Sequence, residues 1–217
     1  CMAGAAIPMW EPIELLHEGA EATVTAGRWM GKPAVLKMRR ARGYRHPDLD
    51  RRLTRSRLSV EVRTLGRLQQ SGFSSPSLFD CDIEESWILI SRIDGRPLYE
   101  AISDGSIGNV SMEDIGALIR RLHEEDISHG DLTTHNILID DSGNLSLIDF
   151  GLARVSPELE HMGLDLQVLN ECLTASHSEL EGAVDSMVRG YLEGGNDEAQ
   201  DVVSRFEAIR GRVRYHG

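Results

Sequence analysis

Short β-branched runs broken by tight turns occupy the first third of the chain. Glu14–Leu16, Thr23–Arg28 and Pro33–Met38 read as strands, with turns at Glu18-Gly19 and Gly31-Lys32. A long helix is predicted next. Pro47 suits its first turn, Leu49, Leu53, Val60, Leu65 and Leu68 form an inner stripe, and Ser71-Gly72 stops it. Two more strands, about Ser77–Cys81 and Trp87–Ile93, join through Glu84-Glu85 and end at Asp94-Gly95, a hinge between two lobes. Beyond the hinge the pattern turns helical. Ser111 with Asp114 three residues on fits a variant capping box, and Ile115, Leu118, Ile119 and Leu122 share one helical face. Strands at Ile137–Ile139 and Leu145–Ile148 flank the polar turn Asp140–Asn144. Leu180, Val184, Met187, Val188 and Tyr191 then recur at helical spacing. No internal repeat or low-complexity segment is visible.

The chain has 217 residues, 41% of them apolar, which is enough to bury a core without disulfides or structural metal. A net charge of −12 excludes a uniformly basic nucleic-acid coat protein. The charge is nevertheless uneven. Between Lys37 and Arg67 eleven Lys/Arg face three Asp/Glu, a local net of +8, while Val155–Asp201 holds eleven acids and the single base Arg189. Basicity returns in Arg210, Arg212 and Arg214. Most such charges are solvated helix faces, but the two basic patches also suit phosphate or an acidic partner. No apolar run reaches membrane-spanning length and no signal-peptide pattern opens the chain, so no membrane association is expected. Cys1, Cys81 and Cys172 are scattered, with no CxxC spacing, and a reduced, cytoplasmic compartment is the expectation.

One segment carries most of the chemistry: His129-Gly130-Asp131-Leu132-Thr133-Thr134-His135-Asn136, then Asp149-Phe150-Gly151. Alone, the first is a polar turn and the second an Asx-turn. Together, H-x-D-x-x-x-x-N with D-F-G eighteen residues after Asp131 resembles the catalytic and metal-binding loops of the protein-kinase fold. Phosphoryl transfer needs such residue types, because catalysis is mainly positioning and neutralisation of dispersed negative charge. Asp131 is a candidate acceptor for the proton of an attacking hydroxyl, or an orienter of water. Asn136 and Asp149 offer hard oxygens suited to Mg²⁺. Upstream, Val35-Leu36-Lys37 is close to the V-A-I-K strand, and Glu61 is the only acid between Arg51 and Arg67. A Lys37–Glu61 pair is the template's expectation; an i, i+4 pair of Glu61 with Arg57 is the plain alternative. The triple-glycine nucleotide loop is absent. In its place stands His17-Glu18-Gly19-Ala20-Glu21-Ala22-Thr23-Val24, whose small residues admit phosphate less freely. Val24, Leu138 and Ile148 are candidates for an adenine pocket with Ser91-Arg92-Ile93 at the hinge, or else ordinary core.

Three departures narrow the resemblance. The loop reads His-Gly-Asp, not His-Arg-Asp. No Ala-Pro-Glu follows Gly151, and the sixty-six residues beyond it are expected to leave no room for a long activation segment or peptide-docking helices. Gly19-Ala20-Glu21-Ala22, Lys37-x-Arg39, Tyr44-Arg45-His46-Pro47-x-Leu49-Asp50, Arg57, Glu61, His129–Thr134 and the Arg210–Arg214 end together resemble the small atypical Ser/Thr kinase subunit of the KEOPS complex, a relative of the RIO kinases. The resemblance implies an α+β fold of minimal bilobal kinase type: an antiparallel-sheet N-lobe with one long helix, about 1–93, and a reduced helical C-lobe, about 96–217, with a basic tail at 205–217, all one kinase-like domain. It implies ATP and Mg²⁺ as cofactors, hydrolysis of ATP or autophosphorylation, and work beside a threonylcarbamoyl-transferase subunit and other KEOPS subunits in making N6-threonylcarbamoyladenosine on tRNA. By the same resemblance Asp131 and Lys37 are catalytic and Asn136 and Asp149 hold metal. Gly19, Ala20, Glu21, Val24, Lys37, Glu61, Ser91, Ile93, Leu138 and Ile148 surround nucleotide, and Arg210, Arg212 and Arg214 face tRNA or a partner. His135 departs from the family, which commonly has serine there. Two other readings stand beside this one: a small-molecule phosphotransferase of aminoglycoside or choline type, since those enzymes share the His-Gly-Asp loop, and a nucleotide-binding scaffold, since the phosphate loop is altered.

Overall fold

The computed structural model describes residues 7–40 and 46–214. Cys1, Tyr44 and Arg45 lie outside the described residues. The chain divides into two compact units, Cys1–Ile93 and Asp94–Gly217.

The first unit is one antiparallel sheet and one helix. The sheet comprises β1 (Trp10–Glu18), β2 (Ala22–Trp29), β3 (Lys32–Arg39), β4 (Leu78–Asp82) and β5 (Trp87–Ser91) in the order β1-β2-β3-β5-β4. Alternation sorts the strands' side chains. Ala34, Leu36 and Leu89 centre an apolar cluster with Trp29, Phe79 and Trp87, and the ring of Trp29 stacks on Phe79 at 5.1 Å. Lys37 pairs with Val24 on one side and Ile88 on the other, which puts all three on the face opposite Leu36. Strand β1 is longer than the sequence indicates. It is an edge strand, exposed from Glu11 onward and irregular in register at Pro12/Glu14, so its alternation is blurred.

Between β3 and β4 runs α1 (Pro47–Ser71), with Pro47 in its first turn and Gly72 closing it at φ 73°. Its inward side differs from the apolar stripe read from sequence. Leu65 and Leu68 are buried, but Leu49 is half-exposed, and the buried set is completed by Asp50, Leu58, Glu61 and Thr64. The helix is therefore held partly by ionic contacts rather than by an apolar stripe alone.

The second unit is mainly helical: α2 (Leu98–Ser103), α3 (Met112–Glu124), α4 (Leu159–Ser176), α5 (Ala183–Leu192) and α6 (Asp197–Arg214). Its strands are short: β6 (Arg96–Pro97), β7 (Ile127–Ser128), β8 (Ile137–Ile139), β9 (Leu145–Leu147) and β10 (Arg154–Val155), in the sheets β6-β8-β9 and β10-β7. The Ser111/Asp114 capping box starts α3, and Ile115, Leu118, Ile119 and Leu122 are buried along it. Helix α5 begins after Leu180, because Gly182 at φ 68° turns the chain first. Helices α3 and α5 pack backbone against backbone. A Cβ on Gly190 would lie 1.9 Å from the Glu113 carbonyl oxygen, and one on Gly116 would lie 2.0 Å from that of Met187. That close approach brings Tyr191 of α5 onto His123 of α3. No helix among the described residues is long and apolar enough to cross a membrane.

Candidate active site

In the first unit two of the predicted site residues form an ion pair. Lys37 Nζ donates to Glu61 Oε1 at 2.7 Å, and Arg39 Nη2 reaches Oε2 at 3.4 Å. Glu61 is only 1% exposed, so burial would be costly without those two cations. Arg57 pairs with Glu21 at 3.5 Å and not with its helix neighbour Glu61. The turn Gly19-Ala20-Glu21 is drawn tight: Gly19 N–H donates to the Ala22 carbonyl at 2.9 Å, and Arg40 N–H donates to that of Glu21 at 2.8 Å. Val24 is half-buried beside Lys37. The Ser91 N–H donates to the Ser77 carbonyl and its hydroxyl accepts from the Ser77 N–H, both at 2.8 Å, so both groups are engaged at the strand end. Ile93 is half-buried at the last position of this unit.

In the second unit two loops are tied into one cluster. The Asn136 amide donates to the Asp131 carbonyl at 2.8 Å and to its Oδ2 at 3.2 Å, so both bonds run from the amide nitrogen and Oδ1 takes part in neither. Ile148 N–H donates to the Asn136 carbonyl at 3.0 Å, and the Ile148 carbonyl accepts from His129 Nε2 at 2.9 Å. Asp149 therefore follows a residue fixed at both ends, and it sits at φ 63°, a left-handed conformation that a non-glycine residue keeps only under constraint. Phe150 is fully buried against the His129 ring. Leu138 is half-buried in β8 opposite Pro97 and Ser146.

Gly130 explains the missing arginine. Its φ is +85°, and a Cβ there would lie 2.1 Å from the Leu152 carbonyl oxygen. The segment after Asp-Phe-Gly passes so close that only glycine fits between His129 and Asp131.

Sequence reading missed what holds this cluster. Asp165 of α4, 2% exposed, accepts from the His129 N–H at 2.8 Å, the Gly130 N–H at 2.9 Å and His123 Nε2 at 2.9 Å. Burial works to raise its pKa, but the hydrogen bonds from His123, Gly130 and His129 outweigh burial and hold the carboxyl below the usual range. Tyr191 stands behind, its hydroxyl 2.7 Å from His123 Nδ1. Burial foremost, with Glu198 and Asp165 nearby, pushes that phenol well above its ordinary value, so the hydroxyl stays protonated. The available signal was one acid within the apolar run Met162–Leu169.

The donor set fits Mg²⁺ held jointly with phosphate: one carboxylate and one amide oxygen, with the remaining positions left to substrate and water. Among the described residues no group of three His, Cys, Asp or Glu could hold a metal unaided.

The three C-terminal arginines have different surroundings. Arg210 packs over the Phe206 ring and pairs with Glu207. Arg212, largely exposed, reaches Glu160 at 3.1 Å, which also binds Arg205. Arg214 is exposed at the end of α6.

Residues 87–175 match the protein kinase domain family. The chain is 38% identical over 205 residues to a probable bifunctional tRNA threonylcarbamoyladenosine biosynthesis protein of Methanothermobacter thermautotrophicus, covering 94% of this chain and 37% of that protein. It therefore spans little more than a third of the archaeal relatives it matches. It is 32% identical over 213 residues to the EKC/KEOPS complex subunit Tp53rkb of Mus musculus, covering 93% of this chain and 87% of that one. Among solved structures, the Rio2 kinase–ADP/Mg²⁺–phosphoaspartate complex from Chaetomium thermophilum matches with a TM-score of 0.59 over 94% of this chain and 72% of that chain, at 18% identity, which shows a shared fold. With the kinase loops in place and the mouse subunit matched along most of its length, the chain belongs to the family of kinase-fold KEOPS subunits.

Proposed function

We propose that this protein is an ATP-dependent kinase or ATPase subunit of a KEOPS-type complex that supports N6-threonylcarbamoyladenosine formation on tRNA. The hydrogen-bonded Asp131–Asn136 pair beside the constrained Asp149 carries the reading. In this role Lys37, oriented by Glu61, steadies nucleotide phosphates, and the tight Gly19–Glu21 turn offers backbone N–H groups in place of a triple-glycine loop. Asp131 accepts the proton of the attacking hydroxyl of a Ser/Thr side chain, or orients a water, while the Asn136 amide fixes its carboxylate. Asn136 Oδ1 and Asp149 would hold Mg²⁺, which when bound neutralises charge on the transferred phosphoryl group.

The partner reading rests on the relatives. The archaeal proteins are named bifunctional and extend well beyond the matched region, which supports a threonylcarbamoyl-transferase subunit as partner, with other KEOPS subunits and tRNA in the assembly. The exposed arginines of α1 and Arg212 and Arg214 are our candidates for acidic contacts. Cys81 and Cys172, both free thiols, support a reduced cytoplasmic setting.

Purified protein is expected to release phosphate from ATP in a Mg²⁺-dependent manner. Asp131→Ala is expected to cut turnover by about a hundredfold or more, with an unchanged melting curve. Equal turnover in that variant removes Asp131 from the chemistry. Native co-purification is expected to bring down a threonylcarbamoyl transferase and tRNA; recovery of neither refutes the assembly.

A further inference from the structure

The sequence singled out His135 as a departure, and its surroundings lead to a device that the active-site loops themselves do not include. The His135 ring lies flat on Tyr99, with centroids 4.2 Å apart and planes at 15°. Tyr99 in turn meets the ring of His177 edge-on at 4.9 Å. Its backbone N–H donates to the Thr134 carbonyl at 3.0 Å. His177 closes the circuit, with Nε2 2.9 Å from the Thr134 hydroxyl, which also lies 3.4 Å from Cys172 Sγ. Thr134 and His177 are 0% and 1% exposed. The loop position two residues before Asn136 and three after Asp131 is thus gripped through its hydroxyl and its carbonyl.

A histidine is a costly way to fill that space. His177 Nδ1 is buried with no hydrogen-bond partner among the described residues, and Glu179 stands 4.0 Å away. A leucine would fill much of the volume without dehydrating a ring nitrogen. Burial holds the His177 pKa down, so the ring is neutral at physiological pH. With Nδ1 unpartnered, the proton belongs on Nε2, donating to Thr134, whose hydroxyl can then donate to Cys172. What the polar pair gives over an apolar contact is a single register for the loop.

We propose that His177, at the C-terminal cap of α4, is a positioning residue for the catalytic loop, acting through the Thr134 hydroxyl with Tyr99 wedged between it and His135. This rests on the catalytic role proposed for Asp131 and Asn136. A small displacement of such a loop costs rate more than nucleotide affinity.

The test uses the full chain with MgATP, measuring kcat, KM for ATP, the Mg²⁺ concentration at half-maximal rate, and thermal melting. Thr134→Val and His177→Ala are each expected to lower kcat about tenfold or more and to raise the Mg²⁺ requirement severalfold, with KM for ATP within about twofold. The double variant is expected to be no worse than either single one. His177→Gln, which keeps a donor near the place of Nε2, and Thr134→Ser, which keeps the hydroxyl, are expected to recover most of the rate. Additive losses, or a fall in melting temperature with kcat and Mg²⁺ dependence unchanged, would reduce His177 to core packing. If His177→Ala fails to fold, the Thr134→Val and Thr134→Ser pair decides alone: equal rates overturn the proposal. Absence of turnover in the wild type defeats the catalytic reading instead, which keeps the two failures distinct.

Discussion

Each unit buries a carboxylate that holds a part of the candidate site, and the two are stabilised by opposite means. Glu61 on α1 is neutralised by cations, Lys37 at 2.7 Å and Arg39 at 3.4 Å, whose side chains remain 12% and 11% exposed. Asp165 on α4 has no lysine or arginine bonded to it in the described structure. Its oxygens are held by two backbone N–H groups and one imidazole, the bonds from His129 and His123 buried and that from Gly130 partly so. In the proposed role the first arrangement orients a side chain that also meets nucleotide. The second fixes a stretch of backbone. The ion pair tolerates adjustment because both cations retain some access to water, whereas three fixed donors converging on two oxygens allow one geometry.

The largest expected effect comes from emptying the second arrangement. Asp165→Ala leaves three donors without an acceptor, two of them buried, a loss of about 3–5 kcal/mol by comparison with broken buried pairs. That is a large part of the stability of an ordinary domain, about 5–15 kcal/mol. Asp165→Asn is gentler but still places an amide NH₂ against at least one donor. Calorimetric melting checks both, and acid unfolding sharpens the comparison. A carboxyl whose folded pKa is depressed stabilises fully above its unfolded value, near 3.9, and that contribution is lost as pH falls through the folded pKa. The Asn variant is therefore expected to show a shallower loss of stability below about pH 4. A wild-type melting temperature in Asp165→Ala would end the claim that the loop hangs on this residue.

The same contrast explains what was legible in the sequence. Asp131, Asn136 and Asp149 stand out because their chemistry demands residue types at near-fixed spacing along two adjacent loops. Lys37 and Glu61 are recoverable because the kinase template asks for a strand lysine and a helix acid, and Glu61 is the only acid between Arg51 and Arg67. Asp165 and His177 carry no such mark. Their partners lie 36 and 43 residues away, and each is one of several polar residues in or at the end of an amphipathic helix. Hydrophobic periodicity locates that helix but cannot tell a buried anchor from a solvated residue. The fold divides similarly. Helix α1 and the Ser111 cap are marked by local residue chemistry. Strands β6, β7 and β10, two residues each, are too short for any period and exist only through tertiary pairing.

A smaller effect on stability, and a larger one on rate relative to it, is expected in the first unit. Glu61→Gln keeps an oxygen for Lys37 Nζ but removes the charge. Both cations are partly solvated, so the stability loss is expected to stay near 1–2 kcal/mol, below the range for Asp165→Ala. Turnover is expected to fall about tenfold or more, because the lysine loses its orientation. Melting and steady-state rates on one preparation separate the two. If Glu61→Gln instead unfolds the protein while Asp165→Ala does not, the assignment of orienting and anchoring roles is reversed.

The smallest expected effect lies with Arg39, and it asks whether the two cations on Glu61 are equivalent. Arg39 sits farther from the carboxylate than Lys37 does, and its Nε is buried with no hydrogen-bond partner among the described residues. Arg39→Met keeps the aliphatic stem and removes that dehydrated nitrogen, while Lys37 continues to neutralise Glu61. Loss and gain nearly offset, so stability is expected to change by less than about 0.5 kcal/mol, roughly 1–2 °C in melting temperature for a chain of this size. Turnover is expected to stay within about threefold, the effect of a weak second contact. A fall matching that of Glu61→Gln would show that Lys37, Arg39 and Glu61 act as one unit. The first unit would then be as unforgiving as the second, and residual exposure would no longer account for the difference between its carboxylate and Asp165.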